Sequence, residues 1–168
     1  MITIRKAVQR DIDTLMAIYD HAKMFMASTG NPNQWIDGYP QREVIESDIE
    51  SGNCHVAVDV AGDIVAVFAL IPGDDPTYAK IEDGRWLNDK PYAVVHRLAS
   101  NGKVKGVGEL CLEWCLEEYP NLRVDTHADN RVMQNLLHKM EFCRCGIIYT
   151  HNGTPRIAYQ KDSTLIGH

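Results

Sequence analysis

Two lysines and two glycines stand where a strand gives way to a helix: Lys103-Val104-Lys105-Gly106-Val107-Gly108, followed by a patterned run to Tyr119. The first N–H groups of a helix have no intrahelical acceptor, and the helix dipole is positive there. Glycine at 106 and 108 would let a phosphate reach bare backbone, and Lys103 and Lys105 would add positive charge. The chemistry open to such a loop is the holding of a pyrophosphate. The same residues also suit an ordinary tight connection with two exposed lysines, and spacing alone leaves both readings standing. A Walker loop is excluded because Gly108 is followed by Glu109 rather than by Lys and Ser or Thr. A dinucleotide fingerprint is excluded because Cys111 occupies its third small-residue position in GVGELC.

The elements that must position this loop can be read from apolar spacing. Ile2 to Ala7 predicts a strand, and Asp11 is expected to cap a helix carrying Ile12, Leu15, Met16, Tyr19, Ala22 and Met26. Ser28 to Tyr39 has loop composition, and Pro40 opens a second helix that Gly52 ends. Cys54 to Val60 and Ile64 to Leu70 flank Ala-Gly-Asp as a hairpin. Pro72 to Pro91 predicts an irregular segment that folds over a pocket. Tyr92 to Ala99 is a strand, Gly106 to Tyr119 a helix with Glu109, Glu113 and Glu117 on its solvated face, and Leu122 to Thr126 a strand. Asn130 to Met140 is a helix with Val132, Met133, Leu136, Leu137 and Met140 inward, and Phe142 to Thr150 with Arg156 to Gln160 closes the chain as a hairpin around Asn152-Gly153. This order predicts an α/β fold on a mixed, largely antiparallel sheet with one parallel strand-helix-strand unit. A ligand belongs at the helix start within that unit.

Residues 1–168 are short enough for a single domain with a full core. Lys plus Arg number 17 against 23 Asp plus Glu, a formal charge of −6, so there is no excess of cations to neutralise a nucleic-acid backbone. No stretch approaches the roughly 20 apolar residues of a membrane span, and MITIRKAVQRDID contains no apolar run of signal-peptide length. A soluble cytoplasmic protein that binds neither membrane nor nucleic acid is expected. Cys54, Cys111, Cys115, Cys143 and Cys145 form no CxxC pair and read as buried free thiols. A metal site on the last four is conceivable, but their spacings are not those of zinc sites, and no metal is expected.

Lys103 to Gly108 resembles the signature of the GNAT superfamily of acyl-CoA N-acyltransferases: Gln or Arg, two residues, Gly, one residue, then Gly or Ala. The likeness extends over nearly the whole chain, through LRVDTHADNRVMQNLLHKMEF, which is similar to the family's strand, Asn and helix ending before a Phe. It implies that fold, with helices on both faces of the sheet, and acetyl-CoA as acetyl donor. Backbone groups at Leu98, Ala99 and Ser100 would then pair with the pantetheine arm, and Lys103, Val104, Lys105, Gly106, Val107 and Gly108 would hold the pyrophosphate. Asn130 would reach the cofactor near its thioester. The chain departs from the pattern at Lys103, at Glu141 in place of a Gly, and at Leu137, where many relatives carry a Tyr that protonates the leaving thiolate.

The implied reaction is N-acetylation of a primary amine by direct attack in a ternary complex, which needs a proton acceptor because such amines are largely protonated at neutral pH. A backbone N–H near Leu98 would steady the developing oxyanion. His96 is the preferred base: it precedes Leu98 by two residues on the same strand, which places both side chains on one face. A partly buried strand histidine fits the same pattern. His127 is the second candidate, although HADN also reads as a turn into a helix. With Leu137 at the Tyr position, Tyr149 on the closing hairpin is the candidate acid, or the thiolate leaves unassisted. Trp35 and Tyr39, on the loop that lines the acceptor side in similar proteins, are candidate substrate contacts or core anchors. The acceptor is expected to be a small-molecule amine. A protein N-terminus or lysine is the alternative acceptor, and a CoA-binding sensor or interaction module with little turnover is the alternative class. Similar proteins commonly form homodimers, and the resemblance carries that expectation here.

Overall fold

The computed structural model describes residues 1–165, so the end of the domain read as 1–168 lies outside the described residues. The elements are β1 (Thr3–Lys6), α1 (Ile12–Ser28), α2 (Arg42–Glu50), β2 (Cys54–Val58), β3 (Ile64–Pro72), β4 (Ala93–Ser100), α3 (Val107–Glu118), β5 (Asn121–Thr126), α4 (Arg131–Lys139), β6 (Cys143–Tyr149) and β7 (Pro155–Asp162). Their order is the one predicted from apolar spacing. The strands form one sheet in the order β1-β2-β3-β4-β5-β7-β6. Every neighbouring pair is antiparallel except β4 and β5, which α3 joins as a parallel unit.

Alternation along the strands feeds two cores. Val56 of β2 packs with Ile12, Leu15, Ile18 and Tyr19 of α1 and Ile45 of α2, while its neighbour Ala57 packs with Val107, Cys111, Leu112 and Cys115 of α3 and Leu137 of α4. The helices therefore cover both faces. A fully buried leucine such as Leu112 contributes about 1.5–3 kcal/mol through the apolar surface it removes from water. Glu113 and Glu117 of α3 point to solvent, and Glu109 reaches Lys139 of α4 at 2.9 Å. Among the described residues no helix is long and apolar enough to cross a membrane.

Three local expectations are corrected. Asp11 stands at the N-cap position of α1, but its side chain makes no bond to the helix; its carboxylate accepts from the Val8 N–H at 2.9 Å and pairs with Arg5 at 2.9 Å. The second helix starts at Arg42, not Pro40. Val132 is 51% exposed instead of inward, because α4 starts at the rim of a cavity. The end of α4 explains the departure at Glu141, which takes φ 64°, the left-handed conformation that favours glycine. Its N–H donates to His138 and that of Phe142 to Leu137, closing the helix, and Leu137 and Phe142 share the core beneath.

The feature that positions the site is a defect in β4. Its register with β3 slips between Val67 and Ala69, and Arg97 takes φ 54°. A side-chain-bearing residue in that conformation costs about 1–2 kcal/mol, and a bulge bends its strand. Arg97 is held there by two hydrogen bonds to Asp48 at 2.9 and 2.7 Å, one to the Tyr39 hydroxyl at 2.9 Å, and one from the Tyr19 hydroxyl to its own carbonyl at 2.7 Å. Beside the bulge, β4 pairs with β5 only at Ala93 with Leu122 and Val94 with Arg123. Beyond these residues the ladder stops, and Val95 to Ser100 of β4 and Val124 to Thr126 of β5 both line a cavity.

Candidate active site

The opening between β4 and β5 leads into a cavity of about 900 Å³. Leu98, Ala99 and Ser100 of β4 line it, with Val104, Lys105, Gly106, Val107 and Gly108 at the start of α3. Gly106 is the N-cap of α3 at φ 78°, and no side chain caps the helix. A Cβ on Gly106 would meet open space but force a strained backbone, and one on Gly108 would come within 3.4 Å of Leu136, itself a lining residue. Bare N–H groups, a lysine and small residues therefore face one cavity, which fits a phosphate-bearing cofactor. Lys103 does not join them. It is exposed outside the lining, and its backbone N–H donates to the Asn101 side chain at 3.0 Å. Asn130 borders the cavity with both ends of its amide engaged: Oδ1 caps α4 through the Met133 N–H at 3.0 Å, and Nδ2 donates to Gln34 at 3.0 Å.

His96 also faces this cavity, and its Nε2 lies 2.9 Å from Asp75 Oδ2. The expectation that His96 and Leu98 share a face fails at the bulge. The positive φ of Arg97 interrupts the alternation, so Leu98 packs toward the α3 core while His96 stands near Tyr78 in the opposite layer. Asp75 comes from the irregular segment between β3 and β4, which folds over this end of the sheet. Tyr78 of that segment is buried and donates to Asp125 at 2.5 Å, and Trp86 stacks on the Arg123 guanidinium. Asp75 Oδ1 accepts from the N–H and the hydroxyl of Thr77 at 2.8 and 2.7 Å. Burial alone would raise the Asp75 carboxyl, but the bonds from His96 and Thr77 outweigh it and hold the group down at about 2. Asp75 is thus an ionised acceptor that keeps the proton of His96 on Nε2. Nδ1 has no protein partner among the described residues.

The other catalytic candidates lie elsewhere. His127 is outside the lining; its Nδ1 accepts from the Asp129 N–H at 3.0 Å, which is the helix-entry turn that HADN also allowed. Burial, helped by the charge of Arg156, pulls its pKa down. Tyr149 is on the exposed side of β6, where the neighbouring Glu82 raises its pKa, while Ile148 beside it lines the cavity. Leu137, at the family's Tyr position, is fully buried in the core.

Trp35 and Tyr39 both reach the cavity and both also anchor structure: Trp35 packs edge-on against Tyr19 at 5.6 Å, and the Tyr39 hydroxyl holds Arg97. Sequence reasoning missed the groups that hold their loop. Gln34 Oε1 accepts from Asn31, Thr126, Asn130 and the His127 N–H, tying the loop to the β5–α4 junction, and Arg156 of β7 donates to the Gln34 carbonyl at 2.9 Å. Asp75 had a signal as a turn former, in Asp-Asp-Pro-Thr, but none that tied it to a histidine 21 residues away.

No family model matches the chain, and no curated protein matches it. Solved structures do. An acetyltransferase of the GNAT family from Streptococcus agalactiae is 34% identical over 96% of this chain and 95% of its own, with a TM-score of 0.88. One from Listeria monocytogenes is 18% identical over 96% and 94%, at 0.72, and the ribosomal-protein-S18-alanine N-acetyltransferase of Escherichia coli is 14% identical over 100% and 97%, at 0.64. The two more distant structures share the fold. With the first matched end to end above 30% identity, the chain belongs to the GNAT family of acetyltransferases.

Proposed function

We propose that this acetyltransferase moves the acetyl group of acetyl-CoA to the primary amine of a small molecule, by direct attack with both substrates bound. The observation that carries this reading is that one cavity joins the uncapped glycine start of α3 to the His96–Asp75 pair through the opening between β4 and β5. When bound, acetyl-CoA supplies an acetyl thioester that an amine can attack without a covalent enzyme intermediate. Lys105 and the backbone of Gly106 to Gly108 would hold its pyrophosphate, and the β4 backbone from Leu98 to Ser100 would align the pantetheine arm. N–H groups of that strand would donate to the acetyl carbonyl as it gains charge.

His96 would take a proton from the acceptor's ammonium at Nδ1, directly or through a water. Asp75 acts as a positioning residue that keeps Nε2 protonated and leaves the lone pair on Nδ1. No tyrosine takes the family's acid role at position 137, and Tyr149 does not border the cavity, so the thiolate would leave without a protein acid from either position. Steady-state rates of CoA release, with acetyl-CoA and a primary amine varied together, test the scheme. Intersecting double-reciprocal lines are expected, whereas parallel lines would indicate an acetyl-enzyme and overturn direct attack.

A further inference from the structure

Arg156 is a residue this mechanism does not use. It is 8% exposed, yet it borders the cavity, and on β7 it stands opposite Ile148 of β6, which packs with Tyr78. Its hydrogen bonds run only to backbone carbonyls, to Gln34 at 2.9 Å from one terminal nitrogen and to Pro155 at 3.3 Å from the other. A guanidinium has five N–H donors, so the remaining ones have no protein acceptor among the described residues. Asp125, two strand positions away on the neighbouring β5, acts on it through space without forming an ion pair, and its Oδ2 is taken by the Tyr78 hydroxyl. Burial consequently pulls the Arg156 pKa down. A desolvated cation without a bonded counter-charge is costly, and it persists here facing a cavity into which a ligand must come.

Resting on the acetyl-transfer reading above, we infer that Arg156 is the anchor for a carboxylate on the acceptor, so that the amine acetylated is that of a small amino acid. The planar fork of a guanidinium matches a carboxylate through two parallel bonds, and this fixes the amine's orientation as well as its presence. The cofactor's own anionic groups have a separate seat at Lys105 and the α3 start. Arg156 is instead bonded to the α1–α2 loop, which also brings Trp35 and Tyr39 to the cavity, and it shares the cavity with His96. A protein N-terminus offers an amine with no carboxylate beside it and would leave Arg156 unmatched.

The test is CoA release from acetyl-CoA with the common amino acids, β-alanine and γ-aminobutyrate, each beside its primary amide and its decarboxylated amine. It is run on the wild type, Arg156→Met and Arg156→Lys. In the wild type, kcat/KM for the best carboxylate-bearing amine should exceed that of its carboxylate-free partners by about a hundredfold, the scale of a buried charge pair losing one member. Arg156→Met should erase that preference by lowering only the carboxylate-bearing rates, and Arg156→Lys should restore part of it. Equal turnover of both members of each pair in the wild type would overturn the inference, and this arm needs no variant to fold. A uniform loss in Arg156→Met across both members would also overturn it, since that is what a residue merely holding Gln34 would give. Calorimetry with acetyl-CoA separates the levels: binding with no turnover of any amine overturns the amino-acid acceptor alone, and no binding by the folded wild type overturns the cofactor reading beneath it.

Discussion

Replacing Asp75 by Asn alters one hydrogen-bonding role while keeping the shape of the site. In the wild type Oδ2 accepts from His96 Nε2–H, and Oδ1 accepts from the N–H and hydroxyl of Thr77. Asn can keep one of these arrangements at a time. If its oxygen stays on Thr77, its NH₂ faces Nε2, which must then act as acceptor, and the ring proton moves to Nδ1, the position proposed to receive the substrate's proton. If the amide turns over, His96 keeps its tautomer, but the NH₂ is set against the Thr77 N–H. Losing that bond costs about 1 kcal/mol and leaving the donor unmatched adds about 1–2 kcal/mol, so the reactive arrangement is disfavoured by about 2–3 kcal/mol. At about 1.4 kcal/mol per tenfold, kcat should fall by about 30- to 150-fold. The assay is CoA release at saturating acetyl-CoA over a range of pH, with KM for acetyl-CoA and the melting temperature measured in parallel. The expected outcome is a lower kcat with an altered pH profile, an unchanged KM for acetyl-CoA and a fold that melts normally. Wild-type kcat in a well-folded Asp75→Asn protein would refute the pairing's role.

Glu141→Gly should stabilise the protein by about 1 kcal/mol by relieving the positive φ at the end of α4, raising the melting temperature by about 2–4 °C; no rise would contradict the strain argument. Arg97→Met should destabilise by about 3–5 kcal/mol, because Asp48 is then left buried without its cation, and the loss is read in urea melts. Asp75 is held at about 2, below the ordinary value of 3.8, so the stability it contributes is complete above about pH 4 and disappears as pH falls toward 2. Acid melts should accordingly show a smaller loss over that window in Asp75→Asn than in the wild type.

Much of this was legible from the chain. The periodicity of α1, α3 and α4 and the β-branched runs depend on local physics, and they gave the order of elements that the sheet confirms. That Lys105 to Gly108 stands at the start of a helix could be read because the end of a strand, glycines and a following helical period are local signals. What stayed hidden was non-local or irregular. The bulge at Arg97 inverts the facing of His96 relative to Leu98, and nothing in AVVHRLAS marks it, because the bulge is held by Asp48, Tyr39 and Tyr19 from distant parts of the chain. Asp75 reaches His96 through a segment with no period, and Arg156 reads in sequence as an ordinary strand cation. Val132 borders the cavity and not the core, a difference that helical periodicity does not encode. Lys103 keeps a cation where the family motif has Gln or Arg, yet it stands outside the cavity that the rest of the loop lines.

Whether the start of α3 seats the cofactor's pyrophosphate is decided by calorimetric titration of acetyl-CoA into the wild type and Gly108→Asp. An acidic side chain in the first turn suits the helix dipole, so the variant should fold, while placing a negative charge and added bulk beside Leu136 where the pyrophosphate must sit. Saturable binding by the wild type is expected, with affinity at least about a hundredfold weaker in the variant, the scale of losing charge-assisted bonds. Equal affinity in the two proteins, or no binding by a folded wild type, would contradict it.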